Sequence, residues 1–271
     1  MNKKLILVPT NFTSETEIAF EQSVLFSLKT DADIILFHVI PSLKMINNNS
    51  SNIDRVQEEL SVLSEKYFKK TGKKAQTRIE VGKVLQQILM LEKEIKPSYI
   101  FLGSDISKGV VSSLTLKLIN SVECPIIIFL RNFKKKGCEK IVLPLDLTKE
   151  TKQKVDHTIK LAKIYNSEVH IVSATNFTNE TELTKLNDQL DYVNSIFEKL
   201  NIPTKTNLLK TSNDIEIMAN AINDYADDID ADLTVIMTRQ ETKIQKFFVG
   251  SMATKLINKS KIPILCISPN L

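Results

Sequence analysis

Lys4-Leu5-Ile6-Leu7-Val8-Pro9-Thr10-Asn11 is the stretch that decides the fold, because its proline-ended strand returns 135 positions later in Lys140-Ile141-Val142-Leu143-Pro144-Leu145-Asp146. A second pair of landmarks, Ser98-Tyr99-Ile100-Phe101-Leu102 and Asp232-Leu233-Thr234-Val235-Ile236, recurs at a spacing of 134. A third, Cys124-Pro125-Ile126-Ile127-Ile128 against Ile262-Pro263-Ile264-Leu265-Cys266, recurs at 138, so the second copy has gained four residues after its fourth strand. Solenoid repeats run roughly 20–50 residues. A period this long is instead a whole domain, and the chain divides into residues 1–134 and 138–271, an intramolecular pair of similar domains.

Each half alternates short β-rich runs with helical patterns, which predicts an α/β fold: a five-stranded parallel sheet with helices on both faces and right-handed crossovers. In the first half strand one is Leu5–Val8, strand two Ile34–Val39 and strand three Ala75–Glu80, with Thr204–Leu209 as its counterpart. Strand three is the most polar and suits a sheet edge. Strands one and four are central, and both fifth strands open with proline, a tolerated first position. Helix one starts at Ser14, with Thr13 or Ser14 as cap and an apolar stripe that includes Ile18, Leu25 and Leu28. Ile53, Val56, Leu60, Leu63 and Tyr67 keep one face of helix two apolar. In the second half Leu183, Leu186, Leu190, Val193, Phe197 and Leu200 do the same, covering a sheet rather than seaming two helices. The third and fourth helices span 84–95 and 113–120, and 215–225 and 251–258.

The 271 residues are 42% hydrophobic and 25% charged, the mix of a soluble globular protein. The longest apolar runs have strand length, short of the roughly 20 residues a membrane helix needs. Met1-Asn2-Lys3-Lys4-Leu5 runs into a strand without a cleavage-site pattern, and the expected address is the cytoplasm. Cys124, Cys138 and Cys266 lack disulfide or zinc spacing, and Cys124 and Cys266 read as buried small hydrophobes. The net charge of +4 is mild. Its one cluster, Arg131 to Lys136, falls between the repeats and reads as a solvated linker, which argues against nucleic acid as a partner.

In an open parallel sheet, ligands bind beyond the carboxyl ends of the strands where strand order reverses. In the second half Asp146 follows strand one. Met237-Thr238-Arg239-Gln240-Glu241 follows strand four and leads through Lys243 and Lys246 to Gly250-Ser251 at a helix start. A glycine there lets backbone N–H groups approach an anion, and Ser251 adds a hydroxyl. The plain alternatives are an ordinary helix cap at Gly250-Ser251 and a turn or cap at Asp146. Neither a P-loop, a dinucleotide fingerprint nor a nucleophile elbow occurs. His38, near the end of strand two, reads as a partly buried, hydrogen-bonded side chain; His157 and His170 offer less, and no metal cluster can be named.

The opening strand with its proline, the glycine-serine helix and the proline-led last strand together resemble the universal stress protein family over nearly all of the chain. The resemblance implies two tandem Rossmann-like sheets of order 3-2-1-4-5, and a regulatory or stress-response binding module without a defined reaction. It also implies ATP or another adenine nucleotide as ligand. The family signature is glycine, two residues, glycine, nine residues, then glycine-serine or glycine-threonine. In this frame Gly250 is preceded by Gln240 and Met237 at the two earlier glycine positions, so side chains stand where the family has none. The aspartate after strand one, an adenine-recognition position, is Asp146. The implied second-half site is thus Asp146 and the backbone near Ala174 at the base, with Thr238, Arg239, Gly250 and Ser251 at the phosphates. The first-half equivalents are Asn11, Val39, Gly103, Ser104, Ser112 and Ser113, but the span from Gly103 to Ser112 is shorter than the signature. Two other readings stand beside this one: a nucleotide-free structural interaction protein, favoured by Met237 and Gln240, and a slow nucleotide hydrolase drawing on Asp105 or Glu241. Pairing of two chains into a homodimer and a chain satisfied by its own domain pairing both stay open.

Overall fold

The computed structural model describes residues 4–42, 49–104, 106–107, 110–145, 151–176, 179–238 and 250–269. The chain divides into two compact units, one of residues 1–105 and 112–134, the other of residues 106–111 and 135–271.

In the first unit the elements run β1 (Leu5–Pro9), α1 (Ser14–Thr30), β2 (Asp33–Ile40), α2 (Asn49–Thr71), β3 (Gln76–Val81), α3 (Val84–Ile95) and β4 (Tyr99–Ser104). The chain continues with two-residue strands β5 (Ile106–Ser107) and β6 (Val110–Val111), an antiparallel pair that groups with the second unit. The first unit resumes with α4 (Ser113–Ser121) and β7 (Ile126–Leu130). Its sheet order is β3-β2-β1-β4-β7, parallel throughout. The second unit holds β8 (Lys140–Pro144), α5 (Thr151–Tyr165), β9 (Glu168–Thr175), α6 (Glu180–Lys199) and β10 (Thr204–Lys210). It closes with α7 (Ile215–Asp228), β11 (Leu233–Met237), α8 (Ser251–Lys259) and β12 (Ile264–Ile267). Its order, β10-β9-β8-β11-β12, is the same 3-2-1-4-5.

The duplication reaches the level of single hydrogen bonds. Ile6 pairs with Tyr99 and Ile141 with Leu233 in the two central ladders. Each strand following the third helix enters through one bond, Ser98 N to Leu5 O at 2.8 Å and Asp232 N to Lys140 O at 2.9 Å. Each fifth strand is led by a proline whose carbonyl accepts from the fourth, Ile100 N to Pro125 O and Thr234 N to Pro263 O, both 3.0 Å. Proline supplies that carbonyl and withholds only an N–H at the strand's first position.

The central strands are apolar on both faces because helices cover both. Consecutive crossovers place α1 against α2, and α3 against α4, with α7 against α8 in the second unit. Val56, Leu60, Leu63 and Tyr67 of α2 are buried, as are Leu186, Leu190, Val193 and Phe197 of α6; Ile53 and Leu200 at the ends of these stripes are exposed. Edge strands β3 and β10 carry the most exposed residues, as expected.

Helix α1 departs from expectation. Its buried face is Ala19, Phe20, Ser23, Val24, Phe26 and Ser27, while Leu28 points to solvent. Small serines can face the core because Ser23 Oγ donates to Phe20 O at 2.7 Å and Ser27 Oγ to Ala32 O at 2.6 Å. Nor does the Thr13 side chain cap this helix, since its hydroxyl donates to Asn11 Oδ1 at 2.8 Å. Cys124 is only half-buried, its backbone N–H bonded to the buried Glu92 carboxylate at 3.2 Å. In the segment between the repeats, Lys135 is not merely solvated: its ammonium lies 2.7 Å from Asp230 and 3.0 Å from Asp232.

Candidate functional site

In the second half the carboxyl ends of β8, β9 and β11 and the start of α8 enclose a cavity of about 100 Å³. The strand ends contribute Pro144, Leu145, Ala174 and Met237; Gly250, Ser251 and Met252 open the helix side. Met218 and Ile222 of α7 supply an apolar wall. Of the second-half residues marked by the sequence, Ala174, Gly250 and Ser251 thus share one space. Asp146, Arg239, Gln240, Glu241, Lys243 and Lys246 lie outside the described residues, as does Asp105.

Gly250 is the N-cap of α8, with φ −55° and ψ 150°, and offers no side-chain cap. The first N–H groups of a helix have no intrahelical acceptor and carry the positive end of its dipole. The Gly250 N–H is bonded to Thr238 O at 2.8 Å, which fixes the turn. Among the described residues, a Cβ on Gly250 would meet only that carbonyl, at 3.9 Å. The backbone therefore does not demand glycine here, and what its bareness does is leave the helix start open. Thr238 itself is buried, its hydroxyl donating to Ile267 O at 3.3 Å, so it supports the turn from beneath and does not line the cavity.

One lining residue escaped the sequence reading. Lys154 on α5 is only 6% exposed, lines the cavity, and donates from Nζ to Pro144 O at 2.9 Å. The signal was present: at the repeat spacing of 135 its counterpart is Ala19, which is 0% exposed. A lysine has taken an alanine's place on a core-facing helix position, and buried lysines are rare unless something holds the charge.

The first-half crevice is built differently, for its own side chains engage one another there. Asn11 Oδ1 accepts from Thr13 N, Thr13 Oγ1 and Thr16 Oγ1 at 3.3, 2.8 and 3.3 Å. Phe12 adopts φ 63°, a left-handed conformation that costs a bulky residue roughly 1–2 kcal/mol. Its ring stacks on His38 with centroids 4.9 Å apart, and His38 Nδ1 lies 2.8 Å from Thr10 O. The stack and the hydrogen bond offset that cost and give His38 a structural place. Ser104 Oγ and Ser112 Oγ both reach Thr115 Oγ1, at 3.2 and 3.0 Å, and Ser112 caps α4 by accepting from Thr115 N at 3.1 Å. Val39 is buried in β2, and Ser113 is exposed at the start of α4.

Gly103 has a structural reason to be glycine. A Cβ there would lie 2.3 Å from the carbonyl oxygen of Glu15 and 2.5 Å from Thr16 N, so the start of α1 rests directly on β4. Glu15 is buried at this contact, 3.5 Å from Arg131. Burial, the largest influence, pushes its carboxyl up, but hydrogen bonds at Thr13, its own backbone and Ser14, with the Arg131 charge, hold it below the usual carboxylate range.

The other histidines serve packing. His170 is buried between Tyr225 OH and Glu168 Oε1, each 2.7 Å away, and burial keeps it below its ordinary value. Among the described residues no group of three His, Cys, Asp or Glu side chains could hold a metal ion, and no helix is long and apolar enough to cross a membrane.

A family model described as the universal stress protein family matches residues 2–129 and, a second time, residues 137–268. A universal stress protein of Methanocaldococcus jannaschii is 27% identical over 143 residues, spanning 48% of this chain and 81% of that protein. Among solved structures, a universal stress protein from Archaeoglobus fulgidus aligns over 100% of both chains with a TM-score of 0.78 and 16% identity. A functionally unknown protein from Pseudomonas aeruginosa aligns over 99% of this chain and 93% of its own, with a TM-score of 0.72 and 15% identity. At these identities the structural likeness concerns the fold alone.

Proposed function

The chain belongs to the universal stress protein family, as a tandem of two such domains, and from that premise we propose that it is a cytoplasmic regulatory binding module whose second half holds a nucleotide. The observation that carries the reading is the contrast between two equivalent helix starts. In the first half Ser112 caps α4 with its own hydroxyl; in the second, Gly250 leaves the start of α8 without a side-chain cap and facing a cavity. An anion is the natural occupant of such a position, because the N–H groups and the dipole both favour negative charge. Phosphate oxygens would sit over Gly250, against the first N–H groups of α8 and the Ser251 hydroxyl, and the sequence offers Arg239 as a further cation for them. The flat apolar part of the ligand would lie against Met218, Ile222 and Met252, with Asp146 and the backbone near Ala174 at its far end. Binding and release, rather than turnover, is the activity proposed.

Mass spectrometry of small molecules released from freshly purified protein tests this, together with calorimetric nucleotide titration of Gly250→Val and Asp146→Ala variants. Retained nucleotide and an affinity loss of about tenfold or more in both variants are expected, since Asp146→Ala removes a charge-assisted contact and Gly250→Val puts a branched side chain over the helix start. Met237, which is among the residues lining the cavity, favours the competing reading of an interaction protein whose pocket has filled in. No released nucleotide and no binding at millimolar concentration would establish that alternative.

A further inference from the structure

His170 does more than pack. Its two ring nitrogens belong to a chain of side chains that crosses from β10 and β9 to α7. Lys205 Nζ donates to Glu168 Oε1 at 3.0 Å, and the same oxygen lies 2.7 Å from His170 Nε2. His170 Nδ1 lies 2.7 Å from Tyr225 OH, and Asn207 Nδ2 donates to that hydroxyl at 2.6 Å. The direction of each bond follows from the ends of the chain. The Lys205 hydrogen bond holds Glu168 below the usual carboxylate range, so its oxygen only accepts and Nε2 carries the ring proton. Nδ1 is then an acceptor and takes the Tyr225 O–H, whose oxygen in turn takes the Asn207 N–H. With the imidazole neutral, every group in the chain donates or accepts as its neighbour requires. A second ring proton, at Nδ1, brings three hydrogens onto one phenol oxygen: its own, that of His170 and that of Asn207. The Tyr225 O–H must then leave the ring.

We infer that His170 is a proton-operated latch between α7 and the β9–β10 edge, and that proton uptake there loosens the apolar wall of the cavity. Met218, Ile222 and Tyr225 follow at i, i+4 and i+7 on one stripe of α7; the first two line the cavity and the third reaches the latch. Glu216 and Asn223 tie the same helix to α8, through Lys255 Nζ at 2.7 Å and Leu256 O at 3.3 Å. Release of Tyr225 therefore frees the wall from the sheet without parting the two helices. The first half supplies an internal reference. Ile35 stands 135 positions before His170, in the same register against the central strand, and is buried. An isoleucine satisfies that strand position, so the histidine and its bonded chain are an addition to the fold. The charges that bear on the ring are Glu168 in β9, Lys205 in β10 and Lys140 in β8. Burial, the largest influence, keeps the ring below its ordinary value of 6.5 against the pull of Glu168. The unfolded chain thus takes up the proton more readily, and the latch holds fully above about pH 6.5 and lets go as pH falls through the lowered value. It acts on the wall itself and does not depend on which ligand the cavity takes.

Hydrogen exchange read by mass spectrometry from about pH 8 to about pH 5, corrected for intrinsic exchange rates, tests this on the full chain. A His157→Asn background removes the titration of the other second-half histidine. Protection of β10 and α7, the wall residues included, is expected to fall about three- to tenfold as the pH drops, the range of one hydrogen bond, while that of β11 holds. Tyr225→Phe removes the oxygen on which the hydrogens meet and should abolish the fall. His170→Ile, which copies Ile35, should abolish it too and stands in if the Phe variant does not fold. Nitrogen chemical shifts of the labelled imidazole at the alkaline end should place the proton on Nε2. Protection of α7 that ignores pH in the His157→Asn protein would overturn the latch. So would an undiminished fall in either variant, or a neutral ring protonated at Nδ1.

Discussion

Replacing Gly103 with alanine should destabilise the first unit far more than its exposure or backbone angles suggest. The added Cβ would stand 2.3 Å from Glu15 O, 2.4 Å from Glu15 C and 2.5 Å from Thr16 N. All three are backbone atoms at the start of α1, so no rotamer change relieves the contact. Ordinary contact needs about 3.4 Å, and the helix start must retreat by roughly 1 Å. That movement pulls on Asn11, Thr13 and Thr16, whose side chains are tied together, and on the buried Glu15. Overpacking a tight contact typically costs 1–3 kcal/mol, and a backbone obstacle puts this one at about 3 kcal/mol. For a unit of this size that lowers the melting temperature by about 10 °C. Differential scanning calorimetry gives the shift, and hydrogen exchange assigns it to α1 and β4. Gly250→Ala is the control, since among the described residues its Cβ would meet one atom at 3.9 Å, and should cost less than about 1 kcal/mol. A Gly103→Ala protein melting within about 2 °C of wild type would refute the close-approach argument.

Three further outcomes are expected. Asp232 accepts from Glu139 N at 2.7 Å and Lys140 N at 2.8 Å and faces Lys135 at 3.0 Å, so Asp232→Ala should cost about 3 kcal/mol in urea unfolding, with Asp232→Asn in between. Burial first, then the Lys160 charge, lowers the His157 pKa from 6.5 to about 4. The unfolded chain therefore takes up a proton that the fold refuses, and the stability His157 contributes is complete above about pH 6.5 and lost as pH falls towards 4. Partial exposure discounts the effect to about 1–2 kcal/mol, and a pH series of urea midpoints in which His157→Asn keeps the wild-type slope over this window would contradict it. Cys138 and Cys266 are buried, and burial drives both thiols upward, so a thiol-specific disulfide reagent should leave them unmodified in the native protein and modify both after denaturation.

The sheet was legible because buried parallel strands must be written as short apolar runs, and the chain writes four of them, with one polar edge strand, twice at near-constant spacing. The stripe of α6 was legible for the same reason, since Leu186, Leu190, Val193 and Phe197 are large and regularly placed. Helix α1 was not, because Ser23 and Ser27 bury their hydroxyls by bonding to the backbone, and hydrophobic periodicity cannot register a satisfied serine. Gly103 had two meanings in the sequence, room for a phosphate or room for a helix, and only the 2.3 Å approach of Glu15 separates them. At Gly250 no described backbone atom comes closer than 3.9 Å to an added Cβ, so the second meaning finds no support there and the first is the one proposed. Lys154 was visible only by setting the halves against each other, where lysine answers alanine; read singly, a lysine on a helix passes for solvent-facing.

The stacked Phe12 and His38 in one half, against an open cavity in the other, make the two domains unequal in thermodynamic terms. A small molecule that binds the folded second domain alone adds stability to that domain by mass action, about 2.7 kcal/mol at a hundredfold excess over Kd, and nothing directly to its sibling. On the proposed reading, duplication separates two duties: one copy holds its shape at a constant level, while the other has a melting point that follows the concentration of its ligand.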